Sequence, residues 1–121
     1  YTRKVPFVAY EGVRERYGVH PCDKRRTVEV LQPEFPHVDF THIDVGEDSL
    51  WTPTRETEEN VKLRVLAFLK FLGTRAETSI AVVSHNDFLS TFFNVIEGPD
   101  SLRGRFYNCE RRTVVLTTRW Q

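Results

Sequence analysis

The strongest periodic signal in the chain follows three glutamates. After Glu56, Glu58 and Glu59, apolar side chains recur at Val61, Val65, Phe68, Leu69 and Leu72, and the spacing i, i+4, i+7, i+8, i+11 predicts an amphipathic helix. Acidic residues in its first turn suit the positive end of the helix dipole, and Gly73 is placed to end it. The aliphatic run Ile80-Ala81-Val82-Val83 predicts a strand buried on both faces of an α/β sheet. His85 falls just past its end. Asn86 and Asp87 then open a second predicted helix with an apolar face of Phe88, Leu89, Phe92, Phe93 and Ile96, closed by Gly98-Pro99.

The flanks are shorter and less regular. Val5 to Tyr10 reads as a strand entering the charged turn Glu11 to Gly18, and further strands are expected near Arg105 to Cys109 and Thr113 to Thr118. From Gly18 to Arg55 periodicity is weak, with one short helix expected after Asp23 and turn signals at Pro33, Pro36, Gly46 and Pro53. Phe35, Phe40, Ile43, Leu50 and Trp51 predict that this stretch is an ordered loop packed down over a site. Strand and helix alternation gives an α/β fold in a single domain spanning residues 1–121. Ligands in such folds bind outside the carboxyl ends of the strands, where both His85 and the Arg14-Glu15-Arg16 turn fall.

Composition narrows the partners. Hydrophobic residues at 40% and charged residues at 28% suit a folded globular chain and are too apolar for a disordered one. Formal net charge is zero, against a nucleic-acid binder that relies on a basic excess. The apolar runs are far shorter than the ~20 residues that cross a bilayer, so a cytoplasmic protein without membrane contact is expected, with Cys22 and Cys109 as reduced thiols. Arginine outnumbers lysine 13 to 4, and the rigid guanidinium fork matches phosphate and carboxylate oxygens. A small anionic ligand fits that balance.

Candidate chemistry concentrates at three places, each open to a structural reading as well. His85, at a strand-to-helix turn, can donate to a phosphoryl oxygen or merely cap the turn. Glu15 can act as a general acid toward a leaving oxygen or belong to a solvated charge run with Arg14 and Arg16. Lys24, Arg25 and Arg26, beside Asp23, can hold an anion or the carboxylates of their own loop; Arg55 carries the same ambiguity. His37, Asp39, His42 and Asp44 alternate, but their spacing matches no established ligand pattern, so no metal is assigned.

Val82-Val83-Ser84-His85-Asn86-Asp87-Phe88-Leu89 resembles the second-histidine motif of the histidine phosphatase superfamily, and Val13-Arg14-Glu15-Arg16-Tyr17-Gly18 resembles its Leu-Arg-Glu segment. Gly18 to Arg26, Phe35-Pro36 to Asp39-Phe40, Trp51, Arg55-Glu56 and Asn108-Cys109-Glu110 are similar to phosphoglycerate-mutase-like proteins, so nearly the whole chain is covered. The resemblance implies a three-layer α/β/α sandwich with a mostly parallel sheet, and phosphoryl transfer through a phosphohistidine with no metal or organic cofactor. It implies that Glu15 protonates the departing alkoxide and later helps activate water, while His85 holds the transferring phosphoryl group. Arg14, Arg16, Tyr17, Lys24, Arg25, Arg26 and Asn86 are the expected contacts to a small phosphorylated substrate.

The family's phosphorylated histidine sits in an Arg-His-Gly motif on an early central strand, and no Arg-His-Gly occurs here. His20, His37 and His42 lie in the wrong context to replace it. The expectation is a carboxyl-terminal portion of a phosphatase or mutase, its first strand missing and its amino end upstream of Tyr1. It would be inactive alone and completed by an upstream segment or a second chain. The alternative is a non-catalytic anion-binding or interaction module derived from the same fold.

Overall fold

A computed structural model describes residues 4–118. β1 (Phe7–Tyr10) opens the fold, followed by a 3-10 turn over Glu11–Val13. A second 3-10 turn at Pro21–Asp23 leads to the short helix α1 (Val28–Glu34), which Thr27 caps by accepting a hydrogen bond from the Val30 amide. β2 (Val38–His42) returns alongside β1 in parallel register, Phe7 opposite Val38 and Val8 opposite Asp39, with an irregularity before Tyr10 meets His42.

β2 replaces part of what the sequence predicted to be loop. Its apolar Val38 and Phe40 alternate with polar partners, and only Phe40 is buried. The loop expectation holds elsewhere in the stretch, although Phe35 and Leu50 remain exposed rather than packed down.

The long predicted helix is α2 (Glu58–Thr74), one residue longer than the Gly73 signal placed it. Thr57 caps it by accepting from the Asn60 amide at 3.1 Å. α3 (Asn86–Val95) follows the second predicted pattern. The two helices meet through Val61, Val65 and Phe68 of α2 and Phe88, Phe92 and Phe93 of α3, joined by Phe106 to form the apolar core. Phe68 contacts the rings of Phe88 and Phe92 at centroid separations of 6.0 and 6.3 Å, within the range where tilted aromatic pairs attract. Continuing this core, Tyr10 from β1 stacks on Phe71 at 4.3 Å and so ties the sheet to α2.

The strands expected at Ile80 to Val83, Arg105 to Cys109 and Thr113 to Thr118 make no ladder among the described residues, where the sheet consists of β1 and β2. A strand needs a hydrogen-bonded neighbour, and no described segment supplies one to these three. Ile80 to Val83 is therefore exposed instead of buried on both faces, most of all Val83. Among the described residues the molecule is an α/β domain with a two-stranded parallel sheet and three α-helices, and no helix is long and apolar enough to cross a membrane.

Candidate functional site

A cleft of about 350 Å³ lies where β1 runs out, between its following turn, the 22–25 segment and the residues leading into α3. Five of the sequence-predicted site residues line it: Arg14, Glu15, Lys24, Arg25 and His85. The remaining four have other attachments. Arg16 Nε donates to the Glu56 carbonyl oxygen at 2.7 Å. Tyr17 Oη accepts from Asn60 Nδ2 at 3.1 Å. Arg26 pairs with Glu34 on the exposed surface, and Asn86 Oδ1 accepts from the Phe106 amide at 2.8 Å and from Ser90 Oγ at 3.0 Å.

Glu15 joins the two halves of the site. α3 carries no side-chain cap of its own, because His85 at its N-cap position makes no capping hydrogen bond. The first amides of a helix have no partner inside it and attract an anion. Glu15 meets that need from more than seventy residues upstream: its Oε1 accepts from the Phe88 amide at 3.1 Å and from its own neighbour Arg16 at 3.0 Å, and Oε2 accepts from the Asp87 amide at 3.3 Å. An ionised carboxylate offers about four acceptor directions, so one direction at Oε2 has no described protein partner. His85, exposed at the mouth of the same cleft, is held by the extended backbone that enters α3.

The cleft's cations are committed unequally. Arg14 is half-enclosed by two acids, with Nη1 and Nη2 donating to both Asp48 oxygens and Nη1 also to Glu11. Arg25 donates to Glu11 and to the carbonyls of Asp44, Gly46 and Arg26. Lys24 makes no ion pair among the described residues; its ammonium lies 5.5 Å from the Trp51 ring centroid, and the indole is anchored by donation to the His20 carbonyl. The cluster that the sequence left open between an anion and the carboxylates of its own loop therefore divides, with Arg25 fastening that loop and Lys24 left exposed.

Two acids hold this arrangement: Asp48, which sequence reasoning did not single out, and Glu56, which it read only as an acid before the long helix and part of a family-like segment. Asp48 is buried and takes Arg14 on one side and the Arg25, Leu50 and Trp51 amides on the other. Burial by itself would raise its carboxyl, but the Arg14 hydrogen bonds and charge and the converging amides overcome that and hold it well below the usual carboxylate range. Arg14 is shifted upward: burial works against it, and Asp48 and Glu11 outweigh the burial. Glu56, also buried, takes the guanidinium of Arg64 through both oxygens, at 2.7 and 2.8 Å. Near them Gly18 has a φ of +93°, and a Cβ there would sit 2.1 Å from the Thr54 carbonyl oxygen, so the close approach of the 17–19 and 52–56 segments requires glycine.

The class of protein is thus an α/β domain with a cleft of mixed charge outside the end of its first strand, lined by a carboxylate and an imidazole. Comparison with known proteins narrows it. The chain is 42% identical to phosphoglycerate mutase-like protein 1 of Arabidopsis thaliana, over 94% of this chain and 43% of the relative. It is 40% identical to a phosphoglycerate mutase-like protein of the same plant, over 94% of this chain and 45% of the relative. A third relative, phosphoglycerate mutase-like protein 2, is 38% identical over 82% of this chain. No family model and no solved structure matches. The chain belongs with the phosphoglycerate mutase-like proteins of the histidine phosphatase superfamily, and it spans less than half the length of these relatives.

Proposed function

We propose that this chain is the part of a phosphoryl-transfer enzyme, a phosphomonoester phosphatase or phosphoglycerate-type mutase, that supplies the proton donor and the second histidine. The observation that carries the reading is the convergence of Glu15 and His85 on one cleft. In the proposed reaction a histidine from outside this chain attacks phosphorus, forming an N–P bond as the ester P–O bond breaks. The proton on Glu15 Oε2 goes to the departing alkoxide. Water then attacks phosphorus, its proton returns to Glu15, and the N–P bond breaks to release phosphate. His85 neutralises the equatorial oxygens during both steps, and Lys24 draws the anionic substrate to the cleft mouth. No metal or organic cofactor takes part in this scheme.

The same proposal places the chain in a three-layer α/β/α sandwich of a cytoplasmic protein, completed by an upstream segment or a second chain. The exposed run Ile80 to Val83 and the exposed Val115 and Leu116 support that completion, because apolar backbone without ladder partners invites another strand. A non-catalytic anion-binding or interaction module is the second reading. Its non-catalytic character is favoured by the structural work these residues do, with Arg14 and Arg25 bound to protein oxygens and Glu15 capping a helix.

Phosphate release from an aryl phosphate separates the two, measured on this chain and on the longest polypeptide encoded in frame with it. The enzyme reading expects activity in the longer form alone. There, Glu15→Gln lowers the rate by about 10²- to 10⁴-fold, the range for loss of a general acid, and His85→Ala abolishes it. Tight phosphate binding without turnover in either form moves the assignment to the binding module.

A further inference from the structure

Arg64 is a helix residue that no sequence motif marks, yet it binds the backbone of the segment that carries Glu15. Its Nε and Nη2 grip both oxygens of buried Glu56. Nη1 donates to the carbonyls of Gly12 at 2.8 Å and Arg14 at 2.9 Å, and the second Nη2 direction reaches the Glu15 carbonyl at 3.5 Å. All five guanidinium N–H donors are thereby directed at oxygens, three of them on the segment that carries Glu15. The same guanidinium lies 5.3 Å from the ring centroid of Phe88, the residue whose amide binds the Glu15 carboxylate.

We propose that Arg64, set by Glu56, is a positioning residue for Glu15, locking the backbone of its loop against the start of α3 so that the carboxyl stays aimed into the cleft. The inference rests on Glu15 being the proton donor proposed above, and it adds how that donor is held. A point-like ammonium cannot replace the fork, because lysine has three donors at one atom and cannot span Glu56 and three carbonyls. Placement errors of about 1 Å at a reacting group are enough to cost up to ~10²-fold in rate.

The test uses the longest polypeptide encoded in frame with this chain and two readouts. The first follows the amide NMR shifts of Asp87 and Phe88 through an acid titration, with Glu15→Gln identifying the part due to the Glu15 carboxyl. In Arg64→Lys that part is expected to fall by at least half, and Glu56→Gln, a milder change, to move it the same way should Arg64→Lys not fold. The second readout compares aryl phosphates. In the single-turnover release of the phenol, which reports N–P bond formation before water attacks, Arg64→Lys is expected to slow phenyl phosphate at least about tenfold while leaving dinitrophenyl phosphate, whose leaving group needs no proton, within about twofold. Adding Arg64→Lys to Glu15→Gln should cost nothing more. Unchanged Glu15-dependent shifts in a folded variant, or equal slowing of both substrates, overturns the positioning role. An inactive parent protein overturns the phosphoryl-transfer reading instead, and the NMR arm still decides the role of Arg64.

Discussion

The α2–α3 pair and the rim of the cleft are held by different forces. Between the helices, Val61, Val65, Phe68, Phe88, Phe92, Phe93 and Phe106 bury apolar side chains, none of which carries a hydrogen-bonding group. At the rim, buried order comes from two arginines and two acids: Arg14 with Asp48, and Arg64 with Glu56. Apolar packing is non-directional, so it stabilises without fixing a side chain to one orientation. Guanidinium forks are directional, and each here binds several specified oxygens. The contrast assigns stability mainly to the helix pair and geometry mainly to the rim, and substitutions in each region can break or refine that division.

Phe88 should show the largest effect because it belongs to both regions. Its ring is fully buried in the core, lies under Arg64, and its amide holds Glu15. Phe88→Ala is expected to lower unfolding free energy by about 3–5 kcal/mol, the usual range for emptying a buried phenylalanine site. Urea denaturation measures it. A loss below about 1 kcal/mol would show that the helix pair does not carry the stability assigned to it.

Asp48 comes next and isolates the rim. Asp48→Ala leaves Arg14, whose side chain is 11% exposed, with Glu11 as its one remaining acid among the described residues, and leaves the Arg25, Leu50 and Trp51 amides without their acceptor. Breaking such a pair from one side costs about 3 kcal/mol. The acid limb of stability provides a second measurement. Because the folded carboxyl is depressed, its stabilisation is complete above the unfolded value of about 3.9 and is lost as pH falls below that toward the folded value. Asp48→Ala should therefore be less stable at neutral pH and show a shallower further loss on acidification. A parallel acid limb in both proteins would remove Asp48 from the account.

The sequence exposed one of these regions far better than the other. α2 and α3 announce themselves through the i, i+4, i+7 spacing of Val61, Val65 and Phe68 and the apolar face of Phe88, Phe92 and Phe93, because a helix buries one stripe and the stripe is local. β2 was hidden by Pro33, Pro36 and the polar neighbours of Phe40, though its alternation was there to read. The strand expected at Ile80 to Val83 was legible as composition but not as pairing, which depends on a neighbour elsewhere in the chain. The rim was the hardest. Arg14 meets Asp48 thirty-four residues away, and nothing local distinguishes Asp48 or Arg64 from ordinary surface charges. Glu15 and His85 were expected outside strand ends, and both line the cleft beyond β1, although the strand expected before His85 makes no ladder among the described residues; Lys24 and Arg25 were legible as a basic cluster on their loop. Their division into free and committed cations was not, since that depends on tertiary partners.

Helix caps give the smallest effect and the sharpest form of the comparison. α2 is capped locally by Thr57, an exposed side chain accepting from the Asn60 amide. α3 has no such residue, and Glu15 does the equivalent work from the rim. Thr57→Ala should cost about 1 kcal/mol, the ordinary value of an N-cap, because it removes one acceptor and touches nothing else. It should leave the Asp87 and Phe88 amide shifts unchanged. Glu15→Ala also removes one cap, yet it should move both amides and, in the longer polypeptide, the rate. If Thr57→Ala disturbed those amides as well, α2 and the rim would be one mechanical unit, and the separation of stability from geometry would fail.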